Sequence, residues 1–310
     1  MAAQSMKMHM SAWLTAIRLP FTTVAVVPFA IGIYLANVNA HEVSVRASLA
    51  GLLAVFLLCI GCYLTGEVYD QTEDRKTIAA GRTKFSGGTL TVVSGELGSG
   101  KVMTAASLCF AGAVLLGLYI FSIHHTLWLI GLGAFGALAA ALYSLPPVRL
   151  VKRGLGELFI GICYGWLPLV TGYGCATGDM PPQSYLFCLP VVLSIFNVIL
   201  LNEFPDYDPD RSSDKRNLLV RIGRERGAQV YASASILTAA AFLLLWYHYQ
   251  PLSVAHLLLV LPAMILALFL AHQVLWARVW SSNLTIERVC GLTIVLNHLS
   301  SITIGALVRW

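Results

Sequence analysis

The residues with the clearest chemical potential are four aspartates in two matched stretches. Leu64-Thr-Gly-Glu-Val-Tyr-Asp70-Gln-Thr-Glu-Asp74-Arg75 aligns without gaps to Leu200-Leu-Asn-Glu-Phe-Pro-Asp206-Tyr-Asp-Pro-Asp210-Arg211 at one constant offset, and Leu, Glu, both Asp and Arg are identical. Carboxylates four residues apart share a helix face, and their charges repel unless something positive bridges them. Asp and Asn oxygens are hard ligands suited to Mg²⁺, which keeps several waters and favours a site shared with substrate phosphates. Asp70 and Asp74 in one copy, with Asn202, Asp206 and Asp210 in the other, could therefore hold a diphosphate through bridging Mg²⁺. Arg75, Lys76, Arg82, Lys84, Lys215 and Arg216 lie nearby as donors to phosphate oxygens, with Lys84 and Lys215 the candidates for direct contact. The plainer alternative, aspartates solvated past the ends of helices, suits one cluster better than two matched copies. Pro205 and Pro209 predict that the helix carrying the second copy kinks or ends, which would disturb the four-residue spacing.

These residues must be positioned by apolar elements. The 310 residues are 57% hydrophobic and 11% charged, with a mean hydropathy of +0.75, which lies outside the range of soluble globular chains. Spans are predicted at Trp13 to Ala36, Ala47 to Gly66, Val102 to Ile123, Leu127 to Leu145, Leu155 to Thr177, Ser184 to Leu201, Ala228 to Trp246, Leu252 to Leu275 and Cys290 to Val308. Each is long enough to cross a hydrocarbon core of roughly 30 Å as a helix. The expected fold is an all-α polytopic membrane bundle of nine helices, one domain over residues 1–310. The aspartate copies sit four spans apart, which implies two pseudo-repeated halves around a central cavity.

Lys7 precedes the first span and no small-residue cleavage site follows it, so that span reads as a retained helix in a chain that begins near Met1. Of the 20 Lys and Arg, only Arg46 and Arg309 fall on the face opposite the N-terminus. The excess places the N-terminus and the long connections Glu67 to Lys101 and Glu203 to Gly227 in the cytoplasm, with the C-terminus outside. Long polar loops on one face point to function there. The net charge of +5 concerns this lipid-facing surface and gives no reason to expect nucleic acid.

On these residues the chain resembles the UbiA superfamily of intramembrane prenyltransferases, which carry an NxxxDxxxD motif after the second helix and a comparable motif after the sixth. Asn202, Asp206 and Asp210 fit it fully, whereas Gly66 stands where the first motif usually has Asn, with Glu67 beside it as a candidate substitute. Phe85-Ser-Gly-Gly-Thr, Tyr143-Ser-Leu-Pro-Pro-Val-Arg149-Leu and Arg153-Gly-Leu-Gly-Glu157 look most like the branch that prenylates 1,4-dihydroxy-2-naphthoate in menaquinone synthesis. The resemblance runs from Arg18 to about Gly227, and the last three spans match only as hydrophobic helices.

It implies Mg²⁺-dependent transfer of a polyprenyl group from its diphosphate to an aromatic acceptor within the lipid bilayer; few acidic loops, bare connections and no organellar leader point to a prokaryotic inner membrane. The acceptor is dihydroxynaphthoate first and 4-hydroxybenzoate or another quinone precursor second. It also implies metal and diphosphate roles for the aspartates and Asn202. Tyr143 and Arg149 would lie over the cavity, or serve as an interfacial aromatic and an orientation charge, and Arg18 before Pro20 has the same two readings. A terpene cyclase of the same fold would share the diphosphate chemistry. A transporter of an anionic substrate, from a different class, would place ionisable residues at the middles of its spans.

Other motifs carry less. Gly95-Glu-Leu-Gly-Ser-Gly100-Lys101 resembles a phosphate-binding loop, but Val102 replaces the hydroxyl residue, so a turn before the third span is expected. Cys59 and Cys62 form a CxxC inside an apolar span and read, like the other five cysteines, as packing residues. His124 and His125 read as interfacial, and the Asn283-Leu-Thr285 acceptor sequence lies on the inner face.

Overall fold

The computed structural model describes residues 10–39, 42–79, 83, 85, 87–213, 215–249 and 253–308. Lys7, Arg82, Lys84 and Arg309 lie outside the described residues. Among the described residues every regular element is helical, and nine helices are long and apolar enough to cross a membrane. They are α1 (Leu19–Asn39), α2 (Val45–Tyr69), α3 (Ser99–His124), α4 (Leu127–Ser144), α5 (Gly156–Thr177), α6 (Ser184–Asn202), α7 (Arg224–Tyr249), α8 (Val254–Leu275) and α9 (Leu284–Leu307).

Three elements depart from the sequence reading, each for a local reason. The first expected span is two helices: residues 10–16 are helical, the chain turns at Ile17 and Arg18, and α1 starts afresh at Leu19. Arg18 takes a left-handed backbone (φ 49°), and Pro20 falls in the first turn of the new helix, where its missing N–H is no loss. α9 starts six residues before the expected Cys290 because Glu287 and Arg288 ride its first turns, and charge hides a helix start from a hydropathy pattern. α5 widens into a π turn over Gly161–Trp166, where the Leu167 amide bonds the Ile162 carbonyl five residues back. Pro168 has no N–H to offer the Tyr164 carbonyl and its ring crowds it, so one extra residue is taken into the turn.

Packing reflects two halves. α2 lies along α3 as α6 lies along α7, α1 and α5 pair across the halves, and α9 closes against α1 and α6. The α1–α5 contact is backbone to backbone: a Cβ on Gly172 would stand 2.2 Å from the Phe29 carbonyl oxygen, and one on Gly32 would stand 2.2 Å from that of Leu169. Small residues that let helices approach this closely take the place of a hydrophobic drive that lipid cannot supply. Polar groups join the second half. Asn197 Nδ2 donates to the Tyr231 carbonyl (3.0 Å) and to Ser235 Oγ (2.8 Å), Asn297 Nδ2 to Ser194 Oγ (3.1 Å), and Tyr231 and Thr293 share a hydroxyl bond of 2.8 Å. Such bonds between membrane helices contribute about 0.6 to 2 kcal/mol each.

Overpacking costs about 1–3 kcal/mol where neighbours can yield, and more where they are backbone. Gly172→Leu is therefore expected to lower the unfolding temperature of the detergent-solubilised protein by at least several degrees. Gly131→Leu, at a position where a Cβ meets nothing within 4 Å, is expected to move it little. Equal falls in a thermal melt of both variants would rule out the close approach as the cause.

Candidate active site

The two aspartate copies lie where α2 and α6 run out. α2 ends at Tyr69, Asp70 caps it, and a short helix, Gln71–Ala79, follows at once, with the Asp74 amide bonded to the Asp70 carbonyl at 3.0 Å. α6 ends at Asn202, the chain turns through residues 203–206, and Tyr207–Ser212 resumes as helix, with the Asp210 amide bonded to the Asp206 carbonyl at 2.8 Å. The helix does break at Pro205. The four-residue relation nevertheless survives, because Pro209 falls in the first turn of the new helix, where no donor is required of it.

The segment around Gly87 and Gly88 ties the copies together. The Gly87 amide donates to Asp206 Oδ2 (2.6 Å) and the Gly88 amide to Asp74 Oδ1 (2.8 Å). The Thr89 amide donates to Glu67 Oε1, and Thr91 Oγ1 donates to Glu67 Oε2 at 3.2 Å. A Cβ on Gly88 would lie 2.4 Å from Asp74 Oδ2 and 2.8 Å from Glu67 Oε1, so only glycine brings the backbone this close. Glu67 is thus a loop anchor in this arrangement. The space beside Gly66, where the resemblance expects Asn, is bordered by Ser144 of α4, whose Oγ is 3.5 Å from Asp70 Oδ2.

Positive groups stand among the carboxylates. Lys215 Nζ is 3.2 Å from Asp210 Oδ2, which also accepts from Asn217 Nδ2 at 2.9 Å. Arg149 is absent from the cavity wall, and its Nη2 donates to Asp70 Oδ1 (2.7 Å) and to the Tyr69 carbonyl (2.9 Å), holding the end of α2. Lys152 pairs with Glu73. Arg18, presented by the turn before α1, lies 4.5 Å from the Phe21 ring centre and 5.8 Å from that of Tyr63.

All of this surrounds one cavity of about 1310 Å³ including its mouth, which brings together Asp70, Asp74, Asn202, Asp206, Asp210, Glu67, Lys215, Arg18 and Tyr143. Further in, the wall becomes Tyr63, Tyr164, Ile195 and Val198. Tyr63 and Tyr164 had no spacing to betray them, and neither did Ser144, Asn217 or the Glu73–Lys152 pair. Each is placed by tertiary contact alone.

Burial shapes the electrostatics. It raises Asp74 to about 7, helped by Glu67 and Asp70 and opposed by the Gly88 amide. Burial also lifts Asp70 and Asp210 against the pull of Lys215. At Lys215 burial works downward, but Asp210, Asp70 and Asp206 outweigh it and hold the ammonium charged, well above its ordinary range.

The donor set suits Mg²⁺. Asp74 Oδ2 and Asn202 Oδ1 are buried at the cavity without a hydrogen-bond partner, and both are hard oxygens. Among the described residues no three Asp, Glu, His or Cys gather as one metal cage, so the oxygens are spread around the mouth as a cation shared with phosphates requires.

A bundle of nine membrane-length apolar helices, with paired carboxylate motifs at one end of a cavity, is an integral membrane protein. The chain belongs to the UbiA prenyltransferase family, which matches residues 25–283. It is similar to the 1,4-dihydroxy-2-naphthoate octaprenyltransferase of Bacillus subtilis, 25% identical over 196 residues that cover 63% of this chain and 62% of that protein. It is also similar to UbiA prenyltransferase domain-containing protein 1 of Dictyostelium discoideum, 27% identical over 218 residues, 68% of this chain and 63% of that one. The chain thus spans less than two thirds of the length of these relatives. Among solved structures, a UbiA homolog from Archaeoglobus fulgidus bound to DMAPP and Mg²⁺ shares the fold, with a TM-score of 0.67 at 15% identity over 96% of this chain and 99% of that one.

A carboxyl raised to about 7 must lose its proton to bind a cation, so Mg²⁺ held by Asp74 would draw on the ionised form present above pH 7 and would be lost as pH falls through it. Between pH 8 and pH 6 the Mg²⁺ affinity measured by calorimetry is expected to fall about tenfold through this one group. Asp74→Asn is expected to bind Mg²⁺ weakly with a flat pH dependence. An affinity in the unsubstituted protein that is level across this range would remove Asp74 from the ligand set.

Proposed function

We propose that this protein transfers a polyprenyl group from a prenyl diphosphate to an aromatic quinone precursor, with 1,4-dihydroxy-2-naphthoate as the acceptor, and that residues 1–310 form one catalytic unit. The observation that carries this is the meeting of both aspartate copies and Lys215 at the mouth of one cavity whose inner wall is aromatic and aliphatic. Membership of the family supports the reaction class. The name of the Bacillus subtilis relative supports the acceptor, and the Archaeoglobus fulgidus structure with DMAPP and Mg²⁺ supports the donor and the metal.

Asp70, Asp74, Asn202, Asp206 and Asp210 would hold Mg²⁺, which when bound supplies Lewis-acid withdrawal of charge from the diphosphate. Lys215, kept charged by its carboxylate neighbours, meets negative charge that grows on the leaving diphosphate, and Lys84 is proposed for the same task. Arg149 keeps Asp70 in place. Tyr143 lines the cavity beside the charges and Tyr63 and Tyr164 line it further in, and aromatic π clouds favour a nearby positive centre. The apolar wall keeps water from the allylic cation left when the C–O bond to the diphosphate breaks, until a ring carbon of the acceptor captures it and sheds the group it carried, a proton or its carboxylate as CO₂, to restore aromaticity. We place this mouth, with the positively charged connections, on the cytoplasmic side of a prokaryotic inner membrane.

The test is turnover of a labelled polyprenyl diphosphate with Mg²⁺ and a panel of aromatic acceptors, in the unsubstituted protein and in Asp70→Ala and Asp206→Ala. The expected outcome is prenylated dihydroxynaphthoate and released diphosphate, with each variant reduced about 10²- to 10³-fold or more, as when a charge-stabilising group is removed. Turnover that survives both substitutions would sink the site, and product from another acceptor alone would sink the acceptor assignment.

A further inference from the structure

The stretch Arg153-Gly-Leu-Gly-Glu157, which opens α5, lies off the wall of the cavity, yet Glu157 is only 1% exposed. A carboxylate in the first turn of a helix ordinarily answers the free amides of its own helix. Glu157 Oε1 instead accepts from the Leu218 amide at 2.7 Å, in the loop that follows the second aspartate copy. A second contact falls three residues earlier. Gly154 has a left-handed backbone (φ 69°), and a Cβ there would lie 2.5 Å from Arg221 Cδ. Arg221 Nε in turn donates to the Arg216 carbonyl at 2.7 Å. The start of α5 thus grips residues 216–221 from behind at two points.

That loop carries the cation of the cavity. The Lys215 amide donates to the Asp210 carbonyl at 3.1 Å, and Lys215 Nζ is 3.2 Å from Asp210 Oδ2, the oxygen that also accepts from Asn217 Nδ2 at 2.9 Å. Asn217 Oδ1 accepts from the Val220 amide at 2.9 Å and starts the short helix Leu218–Ile222. The loop is therefore tied to an aspartate of the site at one end and to Glu157 at the other. Between these ties Lys215 has Asp210, Asp70 and Asp206 as competing neighbours, and its long side chain goes where its backbone lets it. The connection before α5 holds the first copy as well, through Arg149 on Asp70 and Lys152 on Glu73. Burying a carboxylate at the start of a membrane span is costly, and here its free oxygen serves only this loop.

Building on the prenyl-transfer reading and on the part it gives Lys215, we propose that Glu157 is a positioning residue. By holding the Leu218 amide it keeps the loop drawn toward α5, so that the Lys215 ammonium stays on the cavity wall where charge grows on the leaving diphosphate. Glutamine meets the same need. Its carbonyl accepts from Leu218, and its N–H groups donate toward the neighbouring Glu203 carboxyl.

The test is a double-substitution cycle on kcat with a prenyl diphosphate donor, using Glu157→Ala, Lys215→Ala, the pair together and Glu157→Gln. Glu157→Ala is expected to lower kcat about tenfold with little change in the donor KM, as when an interaction made only in the transition state is lost. The pair is expected to match Lys215→Ala within about twofold, since both changes remove one interaction. Glu157→Gln is expected to restore most of the loss. Multiplying effects, an unchanged kcat in Glu157→Ala, or a Glu157→Gln as slow as the alanine variant would each overturn the role. Amide hydrogen exchange, read without substrate, reports the bond itself. Exchange at Leu218 is expected to rise at least about tenfold in Glu157→Ala and to stay level in Glu157→Gln. Unaltered exchange in a folded Glu157→Ala overturns the proposal and leaves the diphosphate site standing. Asp206→Ala run in parallel separates the two claims. Full turnover by that variant would sink the transfer reading and the role of Glu157 in it, whatever the exchange shows of the bond.

Discussion

The constraint on which the structure depends is the repulsion among carboxylates gathered at the ends of apolar helices. Two like charges 4 Å apart at an effective dielectric of about 20 repel by about 4 kcal/mol, and here burial adds a desolvation cost to each. The fold meets this with fixed groups. Arg149 pairs with Asp70, Lys215 with Asp210, Lys152 with Glu73, and backbone amides of Gly87 and Gly88 serve Asp206 and Asp74. The compensation is incomplete, which is why Asp74 is lifted to about 7 and why buried oxygens of Asp74 and Asn202 are left without protein donors. A site arranged in this way is stable enough to fold and still has an unmet demand for positive charge.

The surrounding bundle exists to hold those helix ends in register. α2 and α6 belong to different halves, and no covalent link shorter than the chain between them fixes their ends. The pairing of α1 with α5 through Gly32 and Gly172 joins the halves at backbone distance, and the Asn197, Asn297 and Tyr231 bonds lock α6, α7 and α9 together. Lipid offers no competing hydrogen bonds and no hydrophobic drive, so close packing and internal polar bonds carry the specificity. A shift of one helical turn in either α2 or α6 would carry one aspartate pair out of the cavity.

Much of this was legible in the sequence because it is written in period and composition. The nine apolar stretches correspond to nine helices among the described residues, and the matched aspartate copies fall at the ends of α2 and α6. What escaped was set by contact across the fold. Within the run from Trp13 to Ala36 Pro20 hints at a break, but the left-handed turn at Arg18 and the placing of its guanidinium beside Tyr63 of α2 are visible only in the fold. The π turn before Pro168 looks like ordinary apolar helix. Glu67 reads as a candidate substitute for the Asn missing at Gly66, and its oxygens are taken by Thr89 and Thr91, more than twenty residues away. Spacing along one helix is local information, whereas the partner of a buried carboxylate is not.

The two halves are alike in their acids and unlike in their counter-charges, and that difference gives the site a direction. The first copy is balanced by Arg149, which arrives from the connection between α4 and α5 and stays outside the cavity wall. The second is balanced by Lys215, which follows it in the same loop and does line the cavity. Lys215 also pulls on Asp70 of the first copy, so the ammonium that lines the cavity faces both carboxylate pairs while Arg149 holds Asp70 from behind. The Gly87 and Gly88 amides, one to each copy, make the position of either aspartate pair depend on the other. The two matched motifs form one asymmetric group of carboxylates in this geometry, with charge at the mouth and the rings of Tyr63 and Tyr164 inward of it.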